Sequence, residues 1–157
     1  MSRVAFAEAE RADLSDYIAL LRDDALGAAR ESAPLAVYER AFAAMQSQGG
    51  NHLILGKDAG GAVVAGYQLI LIPGLSLTAT TRAQIEGVRV ASHLRGQGIG
   101  SLLITDAIRR ASKGGATLMQ FTTNKSRADA HRFYERHGFT ATHMGYKREV
   151  KPEEGLP

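Results

Sequence analysis

Apolar and polar residues alternate along RVAFAEAERA, residues 3–12, and this period of two predicts a first strand. The period then lengthens. Leu14, Tyr17, Ile18 and Leu21 recur at helical spacing, with Asp13 or Ser15 placed to cap the helix. DDALGAARESAP, residues 23–34, shows no firm period and reads as an irregular or weakly helical link. Pro34 opens a second helix through Met45, with Leu35, Tyr38, Phe42 and Met45 on one face, and SQGGN ends it. Two apolar runs flank KDAGG within residues 52–74 and predict a β-hairpin. AQIEGVRVAS, residues 83–92, reads as the next strand.

Beyond it stands RGQGIG, a turn with three alternating glycines. A helix follows from about Gly98 to Lys113, with Ile99, Leu102, Leu103 and Ala107 on one face and Gly114 and Gly115 as its stop. ATLMQFTT is a strand. SRADAHRFYERHGF is a helix with Ser126 and Asp129 in capping-box positions, ended by Gly138. FTATHMGYKREV closes the pattern as one or two strands. The order is β-α-α-β-β-β-α-β-α-β, with an optional last strand. The middle β-α-β unit implies a parallel pair with a right-handed crossover, and the hairpin implies antiparallel neighbours. The expectation is a three-layer α/β/α fold on a mixed, mostly antiparallel sheet. Residues 1–150 are expected to form one domain and 151–157 a loose tail.

Composition narrows the chemistry. The chain has 157 residues, 45% of them apolar, enough for one real core. It contains no cysteine, so disulfides, thiolate metal sites and a cysteine nucleophile are excluded. Acidic residues interrupt the N-terminus where a signal peptide needs an apolar run, and no stretch reaches membrane-spanning length. A cytoplasmic protein is expected. The net charge of +3 is scattered, without a basic stripe interleaved with aromatics, so nucleic acid is not an expected partner. His52, His93, His131, His137 and His143 show no metal-ligand spacing, and no metal is expected.

A strand-to-helix turn rich in glycine turns backbone amides toward an anion and lets it approach closely. The dinucleotide fingerprint fails here, because Ser101 stands where its third glycine belongs. A Walker A loop fails for want of the Lys and Ser/Thr after the last glycine. RGQGIG does match the Arg/Gln-x-x-Gly-x-Gly/Ala signature, through Arg95, Gly98 and Gly100. DAHRFYERHGF matches A-x-x-Φ-Y-x-x-x-G-F, where Φ is apolar, through Ala130, Phe133, Tyr134, Gly138 and Phe139. With both segments in this order, the chain resembles the GNAT N-acetyltransferase family over nearly its whole length.

The resemblance implies a sheet splayed at the parallel pair around the glycine-loop helix. It implies that Arg95, Gly96, Gln97, Gly98, Ile99, Gly100 and Ser101 hold the pyrophosphate of acetyl-CoA. Val88, Arg89 and Val90 would pair with the pantetheine arm through their backbone, and an amide near Val90 would face the developing oxyanion. The implied activity is direct acetyl transfer to a primary amine of a small molecule, amino acid or peptide. Glu86 is the candidate base, or else only orients substrate, and Gln84 should share its strand face. Tyr134 is the candidate acid for the departing thiolate. The family often carries asparagine seven residues before its tyrosine. Arg127 stands there, so Asn124 or Arg127 is the candidate for that cofactor contact. Asp23, Asp24, Arg30 and Glu31 are candidates for the acceptor pocket. A homodimer is expected, and a non-catalytic acyl-CoA-binding sensor is the alternative.

Overall fold

The structure, a computed structural model, describes residues 4–150, apart from the side chains of Ala25 and Leu26. The expected tail at 151–157 lies outside the described residues. The chain divides between Phe121 and Thr122 into two compact units. The first carries a five-stranded sheet in the order β1 (Ala5–Glu8), β2 (Asn51–Lys57), β3 (Val63–Ile72), β4 (Arg82–Val90), β5 (Leu118–Gln120). Every neighbouring pair is antiparallel except β4 and β5. The hairpin turn between β2 and β3 is closed by Asp58, whose carboxylate accepts the N–H groups of Gly60 at 2.9 Å and Ala62 at 3.0 Å.

Helices cover both faces of this sheet, as the alternation demands. Leu53 and Leu55 of β2 join Leu14, Tyr17, Ile18 and Leu20 of α1 (Leu14–Arg22) and Phe42 of α3 (Leu35–Gln48) in one core cluster. Ile54 sits opposite Tyr67, and Leu69 opposite Ile85, on the other face. There α4 (Ile99–Lys113) buries Ile99, Leu103, Ile104, Asp106 and Ala107. Leu102, expected on this face, is 46% exposed, as is Leu35 of α3. Each lies at the edge of its buried arc. The link at 23–34 contains a short helix, α2 (Ala25–Arg30), capped by Asp24, which accepts the Gly27 N–H at 2.6 Å.

Asp106 is the buried charge of the described core. Its carboxylate accepts from the Tyr67 hydroxyl at 2.7 Å, Arg110 Nε at 2.7 Å and an Arg109 guanidinium nitrogen at 2.5 Å. Arg110 also donates to the Phe6 carbonyl at 2.9 Å, so one carboxylate connects α4, β3 and β1. Burial by itself opposes ionisation, but the hydrogen bonds from Tyr67, Arg110 and Arg109 prevail and hold the carboxyl below its ordinary value. The C-terminus of α4 is closed by Gly115 at φ +80°, with Ala116 N–H on the Ala111 carbonyl and Gly115 N–H on that of Ser112.

The second unit departs from the pattern in two places. Its helix α5 spans Ala128–Glu135 and has Arg127 at the N-cap. The expected capping box is absent: Ser126 donates through both N–H and Oγ to Asn124 Oδ1, at 3.0 and 2.9 Å, and Asp129 pairs with Arg132. Asn124 competes successfully because the residues form a tight local turn before the helix starts. No strand forms over residues 139–150, where one or two were expected. That segment is largely exposed and has no ladder partner, and strand propensity needs a packed neighbour to express itself. The strand expected at ATLMQFTT shortens to the three residues of β5 for the same reason.

Candidate active site

The site is built on β4 and the turn that follows it. Parallel pairing with β5 ends at Gln84 opposite Gln120, so among the described residues no strand pairs with 85–90 on that side. Ala91 N–H donates to the Val64 carbonyl at 2.9 Å, toward β3. By alternation the polar backbone groups of Val90 face the open edge, while Arg89, paired with Gly66, faces β3. Arg95 Nε covers the Val90 carbonyl at 3.1 Å.

Midway along β4 the register slips. Glu86 lies opposite Gln68 but Arg89 lies opposite Gly66, leaving Gly87 and Val88 against the single residue Tyr67. This is a β-bulge. Gly87 adopts φ +57°, in the left-handed region, and its carbonyl accepts the Tyr17 hydroxyl at 3.0 Å. A Cβ there would fall 2.5 Å from that hydroxyl. Burial pushes the Tyr17 phenol well above its ordinary value, Arg89 opposes the rise, and Glu31 and Glu86 add to it. The phenol therefore keeps its proton and donates it to the Gly87 carbonyl.

Glu86 stands at the head of a polar chain. Gln120 donates to Gln84 Oε1 at 2.9 Å, and Gln84 donates to Glu86 Oε1 at 2.7 Å. Gln84 and Glu86 do share a face. Glu31 accepts the Tyr38 hydroxyl at 3.0 Å. Asp24 stands 3.6 Å from Arg89 Nε.

After β4 a short 3-10 turn, Ser92–Leu94, leads into the glycine loop. Gly96 at φ +77° and Gly98 at φ +83° lie in open space, and Gly98 caps α4. At the start of α4 the Gly98 carbonyl accepts the N–H groups of Ser101 at 3.1 Å and Leu102 at 3.2 Å, and the amides of Ile99 and Gly100 precede the first helical hydrogen bond. Asp23 braces the loop. Its carboxylate accepts the Ser92 N–H at 2.5 Å, and its carbonyl accepts an Arg95 nitrogen at 2.8 Å. The hydrogen bond from Ser92 holds the Asp23 carboxyl below its ordinary value. Gln97 donates to the His93 carbonyl at 3.2 Å, and the Ser101 carbonyl accepts the Thr105 hydroxyl at 2.9 Å.

Asn124, Arg127 and Tyr134 belong to the second unit. Asn124 organises the turn before α5, where its carbonyl accepts the Arg127 N–H at 3.0 Å and meets His131 Nε2 at 3.0 Å. Tyr134 packs edge-on against Phe133 and Phe139, at ring distances of 5.1 and 5.9 Å. Gly138 at φ +83° turns the chain so that Phe139 N–H reaches the Tyr134 carbonyl at 3.2 Å. The Y-x-x-x-G-F spacing is thus a helix stop that places two aromatics together. Sequence reasoning missed Tyr17 and Gln120. Gly87, a glycine inside a strand, was the available signal for the bulge. Among the described residues no three His, Asp or Glu side chains cluster as a metal site.

A mixed sheet splayed at its one parallel pair, with a glycine turn and helix at the splay, defines the acyl-CoA N-acyltransferase class of folds. The chain belongs to the acetyltransferase (GNAT) family, whose model matches residues 15–139. It is 41% identical to a crystal structure described as a transcriptional regulator from Bacillus halodurans C-125, covering 94% of this chain and 100% of that one, with TM-score 0.87. A provisionally assigned acetyltransferase from Agrobacterium tumefaciens str. C58 is 26% identical over 93% of this chain and 99% of its own, with TM-score 0.80. An aminoalkylphosphonate N-acetyltransferase of Salmonella typhimurium (strain LT2) is 40% identical over 67 residues, 43% of this chain and 44% of that protein.

Proposed function

We propose that the chain transfers an acetyl group from acetyl-CoA directly to a primary amine of a small molecule, amino acid or peptide. The observation that carries this reading is the open edge of β4 at residues 85–90, with Glu86 beside it and the glycine turn at its end. The residues suit the coenzyme. Gly96 and Gly98 leave room where a Cβ would stand, so the loop backbone can lie against a pyrophosphate. Arg95, Gly96, Gln97, Gly98, Ile99, Gly100 and Ser101 form that cradle, and the edge of β4 at Val88, Arg89 and Val90 takes the pantetheine arm. Asn124 or Arg127 adds a further contact. When bound, the coenzyme supplies an activated acetyl thioester. In this reading residues 1–150 serve one function as a single domain, and the protein works as a cytoplasmic homodimer.

An alkylamine of pKa near 10.4 must lose its proton, at about 4–5 kcal/mol at pH 7. Glu86 accepts that proton, directly or through a water held by Gln84. The hydrogen bond from Gln84 keeps one carboxylate oxygen fixed and leaves the other free. Val90 N–H donates toward the acetyl oxygen, and Tyr134 holds the proton that the leaving sulfur needs. With no cysteine in the chain, no acyl-enzyme on sulfur forms.

A panel of amines with acetyl-CoA, followed by release of free thiol, tests this directly. The aminoalkylphosphonate of the partial relative's name belongs in that panel. Glu86→Gln should lower kcat/KM by about 10²–10⁴-fold with acetyl-CoA affinity kept. A regulatory module that binds acyl-CoA without turnover is the second reading, favoured by the name of the 41% identical relative. Coenzyme binding with no thiol release from any amine would select it.

A further inference from the structure

On a regular strand Glu86 and Arg89, three residues apart, would point to opposite faces. The bulge at Gly87 and Val88 cancels that. Glu86 lies opposite Gln68 and Arg89 opposite Gly66, and both turn to the face where Tyr17 packs over Gly66. A candidate base and a cation therefore share one side of the sheet, about 10 Å apart at most along the backbone.

Arg89 is poorly provided for. Its side chain is 19% exposed, so its charge is largely desolvated. One terminal nitrogen donates to the Val88 carbonyl at 2.9 Å. Asp24 stands 3.6 Å from Nε, near enough for charge attraction and too far for a hydrogen bond. Arg89 Nε is buried with no hydrogen-bond partner among the described residues. A guanidinium has five donors in a planar fork that suits an oxyanion. A largely buried one with most donors unengaged lacks an acceptor group. Arg89, Glu31 and Glu86 all lie near enough to Tyr17 to act on its phenol, the cation opposing the two carboxylates.

We propose that Arg89 holds an anionic group of the acceptor, which is therefore a primary amine carrying a phosphonate, phosphate or carboxylate on a short chain. This rests on the acetyltransferase reading above. The ammonium end lies toward Glu86 and Glu31, where it loses its proton, and the oxyanion completes the fork of Arg89. Arg89 fixes which amine is presented and takes no part in bond-making. Asp24 holds the guanidinium in place while that fork is empty.

The test compares 2-aminoethylphosphonate and β-alanine with ethanolamine and putrescine, for wild type, Arg89→Gln, Arg89→Lys and Asp24→Asn. Wild type should favour the anionic amines in kcat/KM by about 10- to 100-fold, the effect of one or two charge-assisted hydrogen bonds. Arg89→Gln should collapse that ratio, and Arg89→Lys, charged but without the fork, should fall between. Asp24→Asn keeps the cap on Gly27 and frees Arg89 of its competitor, so KM for the anionic amines should fall. The two anionic arms separate phosphonate from carboxylate selectivity. A ratio unchanged by Arg89→Gln, or a wild-type preference for ethanolamine or putrescine, overturns the proposal. If no amine turns over, the acetyltransferase reading fails by itself. Calorimetric titration with 2-aminoethylphosphonate then decides: binding lost in Arg89→Gln supports the anion site, and no binding to wild type overturns it. Melting curves confirm that each variant is folded, and Arg89→Lys carries the comparison if Arg89→Gln is not.

Discussion

Gly87→Ala is the sharpest test of how the bulge is built. Two effects add. The residue sits at φ +57°, where an L side chain is strained by about 1–2 kcal/mol. Its new Cβ would also fall 2.5 Å from the Tyr17 hydroxyl, and Tyr17, 8% exposed in the core, has little room to move. Overpacking of this kind costs about 1–3 kcal/mol. The sum is about 2–5 kcal/mol, or a fall in Tm of roughly 5–15 °C for a chain of this size. Tyr17→Phe alone removes one hydrogen bond to the Gly87 carbonyl and costs about 1 kcal/mol. It also removes the clash, since the next atoms, Leu21 Cδ2 and Tyr17 Cζ, lie at ordinary contact distances of 3.7 and 3.8 Å. In the Tyr17→Phe background Gly87→Ala should therefore cost only the backbone strain. A urea-unfolding double-mutant cycle should show a coupling of about 1–3 kcal/mol. Additivity within about 0.5 kcal/mol would refute the claim that the hydroxyl and the glycine define each other.

Asp106→Asn should destabilise the fold at neutral pH by about 3 kcal/mol, because it leaves Arg109 and Arg110 without their buried partner. The folded carboxyl titrates below its unfolded value, so its contribution is present above about pH 4 and lost as pH falls through the folded value. Urea midpoints between pH 2 and 7 should show a shallower acid limb in the variant; equal limbs would exclude Asp106 as the source. Tyr134→Phe keeps the aromatic pairing with Phe139 and should lower kcat about tenfold or more while leaving coenzyme binding intact. Unchanged turnover would remove Tyr134 from the reaction. Enhanced turnover with bulkier acyl thioesters would instead make it a wall of the site.

The helices, the hairpin and the glycine turn were legible along the chain because each is a local pattern. Leu14, Tyr17 and Ile18 repeat at helical spacing, KDAGG is a turn by its own chemistry, and Gly98 and Gly115 stand where left-handed backbone is needed. Gln84 and Glu86 share a face because residues two apart on a strand always do. The final strand was not legible, since TATHMGY has strand-like residues but acquires strand structure only from a neighbour that the structure does not supply. Ser126 and Asp129 likewise have the spacing of a capping box, and Asn124 nearby took the serine instead. The bulge was decided only in three dimensions. Alternation places Glu86 and Arg89 on opposite faces, and one extra residue in β4, locked by a hydroxyl seventy positions earlier in the chain, puts them on the same one. Local pattern thus determines which elements form and where their apolar faces lie. Which polar groups meet, and in what register, follows from contacts between distant segments, and the chemistry of the candidate site lies there.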